Sequence, residues 1–360
     1  MKEFSWIKAI GFCGACIAFY IGAGFATMQE VMQYDASYGS RFWMVIAVTA
    51  LIYVYTNLSF ATNGNRLKLL NGGDIYRVYC GKFIGTFFEC FSAFFCYMCF
   101  IVMCGGANST AMQQWGLPNG VGAVILAVAA VGTVILGLNG ILKALGKLGP
   151  IIVILIMIIA AYGTINGFAQ VEKGFELIDN ATYKIEQVGD GNPFASGASY
   201  GGFVILWFAT FLSEIGAKNN LKSVNTGMLL STICIFGTAI LCSIALIANI
   251  DITWNASVPA LVLAQGISPA FAGVFAVIIF LGIYTSAVPL LWTGIRKLAD
   301  DGTTKYKLLT VFGGVAGCIV ACFFPYGRLL NVLYGLNGYL GFVLVAFMLV
   351  NDCKLLLKKR

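Results

Sequence analysis

The chain has 360 residues, of which 59% are hydrophobic and only 10% are charged, and its formal net charge is +7. A soluble globular domain averages about 45–50% apolar and about 25% charged residues, so this composition predicts an integral membrane protein. The sequence has no histidine, which excludes histidine metal sites, Ser-His-Asp hydrolysis and histidine proton relays. The apolar runs are long and do not alternate with polar residues, which favours an all-α bundle over a β-barrel.

Ten segments are long enough to cross a bilayer, since a spanning helix needs about 20 predominantly apolar residues. They are residues 7–34, 42–62, 83–113, 120–141, 149–168, 199–217, 225–249, 269–295, 306–325 and 328–350, each with approximate ends. The opening MKEFSWIKAIGF lacks a small-residue cleavage site, so the first segment is expected to remain as a helix rather than be removed as a signal peptide.

The lysines and arginines predict the orientation of these spans. If the N-terminus is cytoplasmic, all but four of the 22 basic residues fall in cytoplasmic segments, and the exceptions are Arg41, Lys173, Lys184 and Arg328. Cytoplasmic loops of membrane proteins are enriched in lysine and arginine. We therefore predict that both termini are cytoplasmic and that the positive charge reflects topology rather than nucleic-acid binding.

The ten spans divide into two sets of five, and a short repeat supports this division. Phe25-Ala26-Thr27 and then Glu30 in the first span are echoed by Phe208-Ala209-Thr210 and then Glu214 in the sixth. These spans would run in opposite directions, as in the inverted repeats of transporters whose broken helices carry substrate and ion sites. The predicted organisation is a first repeat at 1–168, an extracellular loop at 169–198, a second repeat at 199–350 and a basic cytoplasmic tail at 351–360.

Gly22-Ala23-Gly24 lies in the middle of the first span. Small residues in a membrane helix often mark close helix packing. The alternative is an unwound segment, whose released backbone groups must line a cavity or a ligand site because they cannot face lipid. In that case the N–H groups of the following half-helix suit a substrate carboxylate, and the released carbonyls of the preceding half suit a cation.

Two glutamates lie inside predicted spans, and an intramembrane carboxylate is by default a candidate functional group. Glu30 lies roughly 9 Å along the helix from Gly24, at about 1.5 Å per residue, toward the outside. Glu214 lies in the inner half of the sixth span. Both are candidates for gating or coupling; the alternative is an anchoring role near the interface, which for Glu214 includes pairing with Lys218 at i+4.

The eighth span contains two adjacent hydroxyl groups, Thr285 and Ser286, with Gly282 before them and Pro289 after them. Pro289 has no N–H to donate to the Thr285 carbonyl, four residues earlier. Hydroxyl and released carbonyl oxygens suit an alkali cation, although both hydroxyl groups could instead bond back to their own helix. Tyr97 of the third span and Trp207 of the sixth are candidates for the wall of a substrate pocket.

Together, the glycine-broken first span, the five-plus-five plan and the Thr-Ser pair resemble LeuT-type transporters of the amino acid–polyamine–organocation superfamily. The string IGAGFATMQE, followed by VMQYDASYGS, resembles the YkvI-type amino acid permeases. The resemblance implies ten helices in a 5+5 inverted repeat, with helices 1 and 6 discontinuous. It implies a sodium site formed by Thr285 and Ser286 with the carbonyls of Ala18, Ile21 and Gly282. The fifth span has no interior lysine, which favours sodium over the proton-coupled relatives.

The resemblance also implies a set of substrate contacts. The substrate carboxylate would meet the N–H groups from Gly22 to Phe25, and its ammonium would meet sixth-span carbonyls near Trp207. The expected substrate-binding residues are Gly22, Ala23, Gly24, Phe25, Tyr97, Trp207, Phe208 and Thr210. The sixth span lacks an obvious glycine break, which leaves its contribution open.

We therefore expect a multi-pass protein of the plasma (inner) membrane that imports an amino acid or related small zwitterion or amine together with sodium. Its expected partners are the substrate, sodium and the lipid bilayer, with no other cofactor. No nucleotide loop, metal cluster or nucleophile–base pair is recognisable, so an enzyme is not expected. The alternatives are proton-coupled transport and a nutrient-sensing subunit, similar to germinant receptors, that binds an amino acid without obligatory transport.

Overall fold

A computed structural model describes residues 3–136 and 148–357 of the chain. Within these ranges the chain forms fifteen α-helices and two short 3-10 helices, Ala36–Arg41 and Phe168–Gln170. The α-helices are α1 (Trp6–Tyr20), α2 (Ala23–Ala26), α3 (Gln29–Tyr34), α4 (Phe42–Leu67), α5 (Asp74–Trp115), α6 (Val121–Leu136), α7 (Leu148–Asn166), α8 (Val171–Asp179), α9 (Pro193–Lys218), α10 (Leu221–Ala248), α11 (Ile250–Thr253), α12 (Pro259–Ile267), α13 (Pro269–Arg296), α14 (Thr304–Phe323) and α15 (Tyr326–Leu357).

Seven helical segments are long and apolar enough to cross a membrane, and they contain α4, α5, α9, α10, α13, α14 and α15. An eighth candidate is α7 with the helical segment after it, which bends by 67°. Two shorter apolar helices, α1 and α6, occupy the remaining predicted spans. The chain is therefore a multi-pass membrane protein, while the count of ten spans stays a prediction. Residues 137–141 of the predicted fourth span lie outside the described residues.

The first span is discontinuous, as predicted, and it is interrupted twice. After α1 the chain is extended at Ile21 (φ −81°, ψ 95°) and Gly22 (φ −93°, ψ −169°). The second interruption is at Met28, which is in the left-handed region with φ 59°. A non-glycine residue in that region is uncommon, and such conformations concentrate at functional sites. The first span thus consists of α1 and two short helices, α2 and α3.

The predicted break in the sixth span is wrong, because α9 runs without interruption from Pro193 to Lys218. No glycine or proline interrupts residues 203–215, so nothing there releases the backbone. Gly201 and Gly202 instead provide close packing. A side chain on Gly202 would overlap the Gly338 carbonyl oxygen of α15, and one on Gly201 would lie 2.8 Å from Ile52 of α4.

These packing contacts hold α9 between α4 and α15. At Gly64 of α4 and at Gly216 of α9 a side chain would overlap the backbone of the other helix, at Ser213 and Ala61 respectively. Glycine at such positions lets two membrane helices approach closely. In addition, α1 packs on α10, which also packs on α4, and α13 packs on α5. The first half of the broken span is therefore held against α10.

Candidate functional site

A cavity of about 360 Å³ lies at the first interruption of the first span. Residues of α1, the break and α2 form one wall, with residues of α5, α7, α9 and α13 forming the others. From the first span these are Ala18, Phe19, Ile21, Gly22, Ala23 and Ala26. This volume is within the range of small-molecule sites, roughly 300–1,000 Å³. The break therefore borders a cavity, as the unwound interpretation requires.

All five residues of the predicted ion site line this cavity: Ala18, Ile21, Gly282, Thr285 and Ser286. The Thr285 hydroxyl donates to the Gly282 carbonyl at 2.7 Å. This is the hydrogen bond back to its own helix that the sequence allowed as an alternative. That bond uses the hydroxyl proton and leaves oxygen lone pairs on Thr285. Pro289 lies within α13, so the Thr285 carbonyl has no helical N–H partner four residues later.

The break releases a carbonyl group on the facing wall. The Gly22 N–H donates to the Tyr20 carbonyl at 3.0 Å rather than to the Ala18 carbonyl four residues back. The Ile21 N–H still bonds to Ile17 at 3.0 Å, so the helix is intact up to that point. The structure thus brings hydroxyl and carbonyl oxygens of α13 and a carbonyl released from α1 to one cavity. These are hard oxygen donors of the kind that alkali cations accept at helix breaks.

Four of the eight predicted substrate residues line the cavity: Gly22, Ala23, Trp207 and Thr210. The Trp207 indole Nε1 is buried and has no hydrogen-bond partner among the described residues. Trp207 stacks on Phe95 of α5, with ring centroids 5.8 Å apart. The indole N–H is a donor in the wall of the cavity that nothing in the described chain satisfies.

The other four predicted substrate residues lie elsewhere. Gly24 and Phe25 follow the break but are turned away, because Gly24 packs under the Glu30 side chain and the Phe25 ring packs on Tyr20 at 6.0 Å. Tyr97 bonds to the Gly313 carbonyl of α14 at 3.0 Å. Phe208 packs on Tyr53 of α4, with ring centroids 5.2 Å apart.

Helical geometry explains why Tyr97 and Phe208 do not line the cavity. Adjacent residues of a helix point about 100° apart, since one turn takes 3.6 residues. Tyr97 follows the cavity residue Cys96, and Phe208 follows the cavity residue Trp207, so each ring is directed away. Tyr97 fills a space left by glycines of α13 and α14, where a Gly294 side chain would lie 2.8 Å from its Cβ. Sequence identified aromatic residues near the site but not the face that each one occupies.

Further cavity residues are absent from the sequence prediction, and periodicity was the signal that could have found them. Ser92, Cys96 and Met103 share one face of α5, while Leu290 and Thr293 continue the stripe of α13 that begins at Gly282. Spacings of three, four, seven and eleven residues place side chains on one helix face. The remaining residues are Phe19 of α1, Ala26 of α2, Ile152 of α7, Leu206 of α9, and Ile283 and Pro289 of α13.

The cavity extends toward one predicted side of the membrane only. Ser92 lies in the half of the predicted third span, and Thr293 near the end of α13, that the basic residues predict to be cytoplasmic. On the predicted outer side, α2 and α3 are packed in. The Thr27 hydroxyl is 3.2 Å from the Tyr326 hydroxyl, and its carbonyl accepts the Ala260 N–H at 3.0 Å. With the predicted orientation, this arrangement is closed outside and faces inward.

The loop before α9 covers the outer half of the first span. The Val188 N–H donates to the Gln33 carbonyl at 3.2 Å, and Tyr38 donates to the Val188 carbonyl at 2.5 Å. The Gln33 amide donates to the Gly327 carbonyl of α15 at 2.9 Å. These bonds join the first span, the loop and the last helix above the cavity.

The two predicted gating carboxylates have different surroundings. Glu30 is 4% exposed and accepts a hydrogen bond from the Tyr200 hydroxyl at 2.6 Å. Glu214 lies near the predicted inner surface, 3.4 Å from Lys218, and accepts the Gly72 N–H at 3.2 Å. The anchoring alternative thus describes the position of Glu214, whereas Glu30 lies inside the protein on the outer side of the break.

Comparisons with solved structures find the same arrangement of helices. MhsT in complex with L-phenylalanine has a TM-score of 0.61 and 14% identity over 96% of this chain and 89% of its own. The inward-facing conformation of Mhp1 has a TM-score of 0.60 and 14% identity, with coverages of 92% and 73%. A mutant of the manganese transporter of Eremococcus coleocola has a TM-score of 0.57 and 14% identity, with coverages of 96% and 78%.

These similarities show that the chain has the LeuT-type fold. No protein-family model matches the sequence, and no curated protein matches it either. The finer resemblance to YkvI-type permeases therefore has no support from the comparisons. The boundaries of the two repeats stay a prediction.

Proposed function

We propose that this chain is a secondary transporter of the plasma membrane that carries an amino acid or related small zwitterion or amine together with sodium. The observation that carries the proposal is the position of the break in the first span. It lies beside the Thr285–Ser286 pair of α13, and both border the same cavity. A cavity at a broken helix within a LeuT-type fold is where such transporters bind substrate and ion.

The donor atoms at the cavity support sodium as the coupling ion. The proposed ligands are the hydroxyl groups of Thr285 and Ser286 and the carbonyl groups of Ala18, Ile21 and Gly282. The Gly282 carbonyl accepts the Thr285 hydroxyl with one lone pair, and its second lone pair remains for an ion. A sodium ion held by both α1 and α13 would link the broken span to its neighbour and stabilise one arrangement of the two.

The lining of the cavity supports a substrate with no net charge. None of the cavity residues is acidic or basic. A zwitterion needs no compensating side-chain charge, because backbone N–H groups can meet its carboxylate and carbonyl groups its ammonium. Ala23 is the first residue of α2, so its N–H has no partner within that helix. MhsT, which shares the fold, was solved with L-phenylalanine.

Manganese, the ion named for one structural neighbour, is a weaker candidate substrate. Among the described residues no group of three or more His, Cys, Asp or Glu side chains is placed to hold a metal ion. The cavity offers Cys96 and Met103 as sulfur donors but no carboxylate. Carboxylate and water oxygens suit manganese better than thioether and thiol groups do.

A thermal-shift screen of amino acids and amines, each with sodium and with choline, tests the substrate class. A ligand that binds the folded state raises the free energy of unfolding by RT ln(1 + [L]/Kd), and the unfolding temperature rises as a result. We expect a hit among neutral amino acids whose shift is larger in sodium. A flat response to the whole panel in both salts would contradict the proposal.

The double variant Thr285→Ala/Ser286→Ala then tests the ion site with the ligand that the screen identifies. It should remove the sodium dependence of binding and of uptake into proteoliposomes. Thr238→Ala is a matched control, since its hydroxyl also bonds back to its own helix, at 2.7 Å from the Cys234 carbonyl, and it lies outside the cavity. Ligand binding without any uptake would favour the nutrient-sensing alternative.

A further inference from the structure

Glu30 is a buried carboxylate for which sodium coupling provides no role. It lies on α3, on the outer side of the cavity, and the Tyr200 hydroxyl of α9 donates to its Oε1 at 2.6 Å. The two residues are 170 positions apart in sequence, so this bond joins the first span to the sixth. Among the described residues, no lysine or arginine forms an ion pair with it.

The space around this carboxylate is filled by protein atoms. A side chain on Gly24 would lie 2.5 Å from Glu30 Oε2 and 3.0 Å from Leu330. The carboxylate therefore occupies the room that the missing side chain of Gly24 leaves. A metal ion or an organic ammonium would need this packing to open, whereas a proton adds almost no volume. Of the ligands that could neutralise Glu30, the proton is the one that fits the closed structure.

A second carboxylate near the end of the same helix is also without a compensating group. Asp35 is 1% exposed, and neither of its oxygens has a hydrogen-bond partner in the described parts of the chain. The Tyr34 hydroxyl beside it is buried and unpartnered as well. An ionised carboxylate is strongly disfavoured in a dry interior without a cation, and such a group takes up a proton instead. The surroundings of Asp35 thus favour the same neutral state.

Other titratable groups around Glu30 do not supply a positive charge. They are Tyr20 of α1, Tyr34 and Asp35 on or next to α3, Cys99 of α5, Tyr200 of α9, and Tyr326 and Tyr334 of α15. Cys242 of α10 is buried, and α2 and α12 carry no titratable residue. Glu186 accepts a hydrogen bond from the Gln33 amide. Arg41 and Arg328 are exposed. The buried titratable groups around Glu30 are therefore all neutral or acidic.

Aromatic rings of α9 connect Glu30 to the cavity. Trp207 lines the cavity and packs on Phe203 at 5.5 Å, and Phe203 stacks on Tyr200 at 5.3 Å. Tyr34 of α3 packs on Tyr200 at 4.4 Å. A shift of the outer half of the first span must therefore disturb the bond between Tyr200 and Glu30.

From this geometry we infer that Glu30 is a proton-binding site that is loaded when the outer half of the protein closes. Hydronium from the external solution transfers a proton to the carboxylate, which becomes a neutral carboxylic acid, and a water molecule remains outside. When α2 and α3 swing open, water reaches the group and the proton returns to the same side. The site therefore makes closing of the outer half dependent on external pH. This pH dependence rests on the alternating access of the proposed function, whereas proton binding by Glu30 does not.

Infrared spectroscopy of the purified protein tests the proton site without any substrate. A protonated carboxylic acid has a C=O stretch that is separate from the amide and carboxylate bands. At neutral pH we expect this band in the wild type, its partial loss in Glu30→Gln, and a shift to higher frequency in Tyr200→Phe, because a hydrogen bond is removed. Asp35→Asn identifies the contribution of Asp35. Glu176→Gln, an exposed glutamate of α8, is the matched control and should leave the band unchanged.

A spectrum unchanged by both Glu30→Gln and Tyr200→Phe at neutral pH would overturn the inference. Loss of the wild-type band when sodium chloride replaces choline chloride would overturn it too, because the site would then hold the metal ion. If Glu30→Gln does not fold, the frequency shift in Tyr200→Phe still decides the question. None of these outcomes depends on the identity of the substrate, so they leave the transport proposal to its own test.

Cysteine labelling tests the link to closing. Gln29→Cys places a thiol in the buried outer half, and Glu176→Cys provides an exposed reference for the intrinsic pH dependence of the reaction. An impermeant maleimide labels both cysteines, and site-resolved mass spectrometry measures the labelling rate at each. The labelling rate at position 29 divided by that at position 176 should fall as the external pH is lowered, by at most about tenfold per pH unit for one proton. In Glu30→Gln the ratio should stay low at every pH. An unchanged pH profile in that variant would contradict the link.

Discussion

The first and sixth spans carry the same Phe-Ala-Thr triplet but have different backbones. The first is interrupted at Ile21–Gly22 and again at Met28, whereas α9 is one helix of 26 residues. Their glycines explain the difference. Gly22 lies where the first span leaves helical geometry, whereas Gly201 and Gly202 lie against α4 and α15. Glycines that pack against a neighbouring helix, as these two do, therefore do not indicate a break.

The glutamates of the two spans differ in the same way. Glu30 is buried in the outer half of the broken span, and Glu214 is near the surface of the continuous one. The two spans therefore share residue types but differ in the surroundings of those residues. In the wall of the cavity α9 is a continuous helix, and the first span and α13 provide most of the other lining residues.

We expect the largest effect on stability from a substitution in α9, the continuous helix of the two. Gly202→Ala places a methyl group onto the Gly338 carbonyl oxygen of α15, and neither backbone can move without separating two helices. Overpacking in a close-packed interior costs about 1–3 kcal/mol and sometimes more. We expect a clear fall in unfolding temperature in detergent. Gly237→Ala in α10, where a methyl group meets no atom within 4 Å, should show no such fall.

Gly24→Ala should have the next largest effect, within the broken span. The new methyl group would lie 2.5 Å from Glu30 Oε2, so the carboxylate must leave its place under Tyr200 or the helix must shift. We expect a loss of roughly 1–3 kcal/mol in the free energy of unfolding. Gly14→Ala in α1 has open space and should be neutral or stabilising by up to about 1 kcal/mol. Equal effects at the two positions would contradict the packing described for Glu30.

Gly22→Ala should separate stability from binding. The backbone of Gly22 is extended, a conformation that any residue can adopt. The new methyl group would lie 3.6 Å from Met103, which is an ordinary van der Waals distance. Folding should therefore be preserved, while the methyl group enters the cavity. One misplaced methylene-sized group in a pocket changes binding by about tenfold or more. Isothermal titration with the ligand from the thermal-shift screen should show weaker binding at an unchanged unfolding temperature.

The smallest effect is expected at the counterpart of Glu30. Glu214→Gln removes an exposed pair with Lys218 and retains an oxygen that can accept the Gly72 N–H. Exposed pairs contribute about 0–1 kcal/mol. Unfolding and uptake should both remain close to the wild type. A strong loss of uptake would restore a gating role for Glu214 and remove the contrast with Glu30.

The fold was largely predictable from the sequence, because long apolar runs and the asymmetry of basic residues are global signals. The break at Gly22 was predictable too, since glycine there coincides with the centre of a span. The continuity of α9 was not, because Gly201 and Gly202 acquire their role from α4 and α15. Tyr97 and Phe208 do not line the cavity, since one residue of helical phase decides whether a ring meets it. The bond from Tyr200 to Glu30 joins distant spans and left no local signal.

Uptake into proteoliposomes under an inward sodium gradient is the most direct test of the central claim, that the cavity at the break couples sodium to a zwitterionic substrate. With a radiolabelled mixture of neutral amino acids, the wild type should accumulate label in sodium and not in choline. Thr285→Ala/Ser286→Ala should abolish that difference, and Thr238→Ala should retain it. Accumulation that is equal in sodium and choline, or that keeps its sodium dependence in the double variant, would contradict the account.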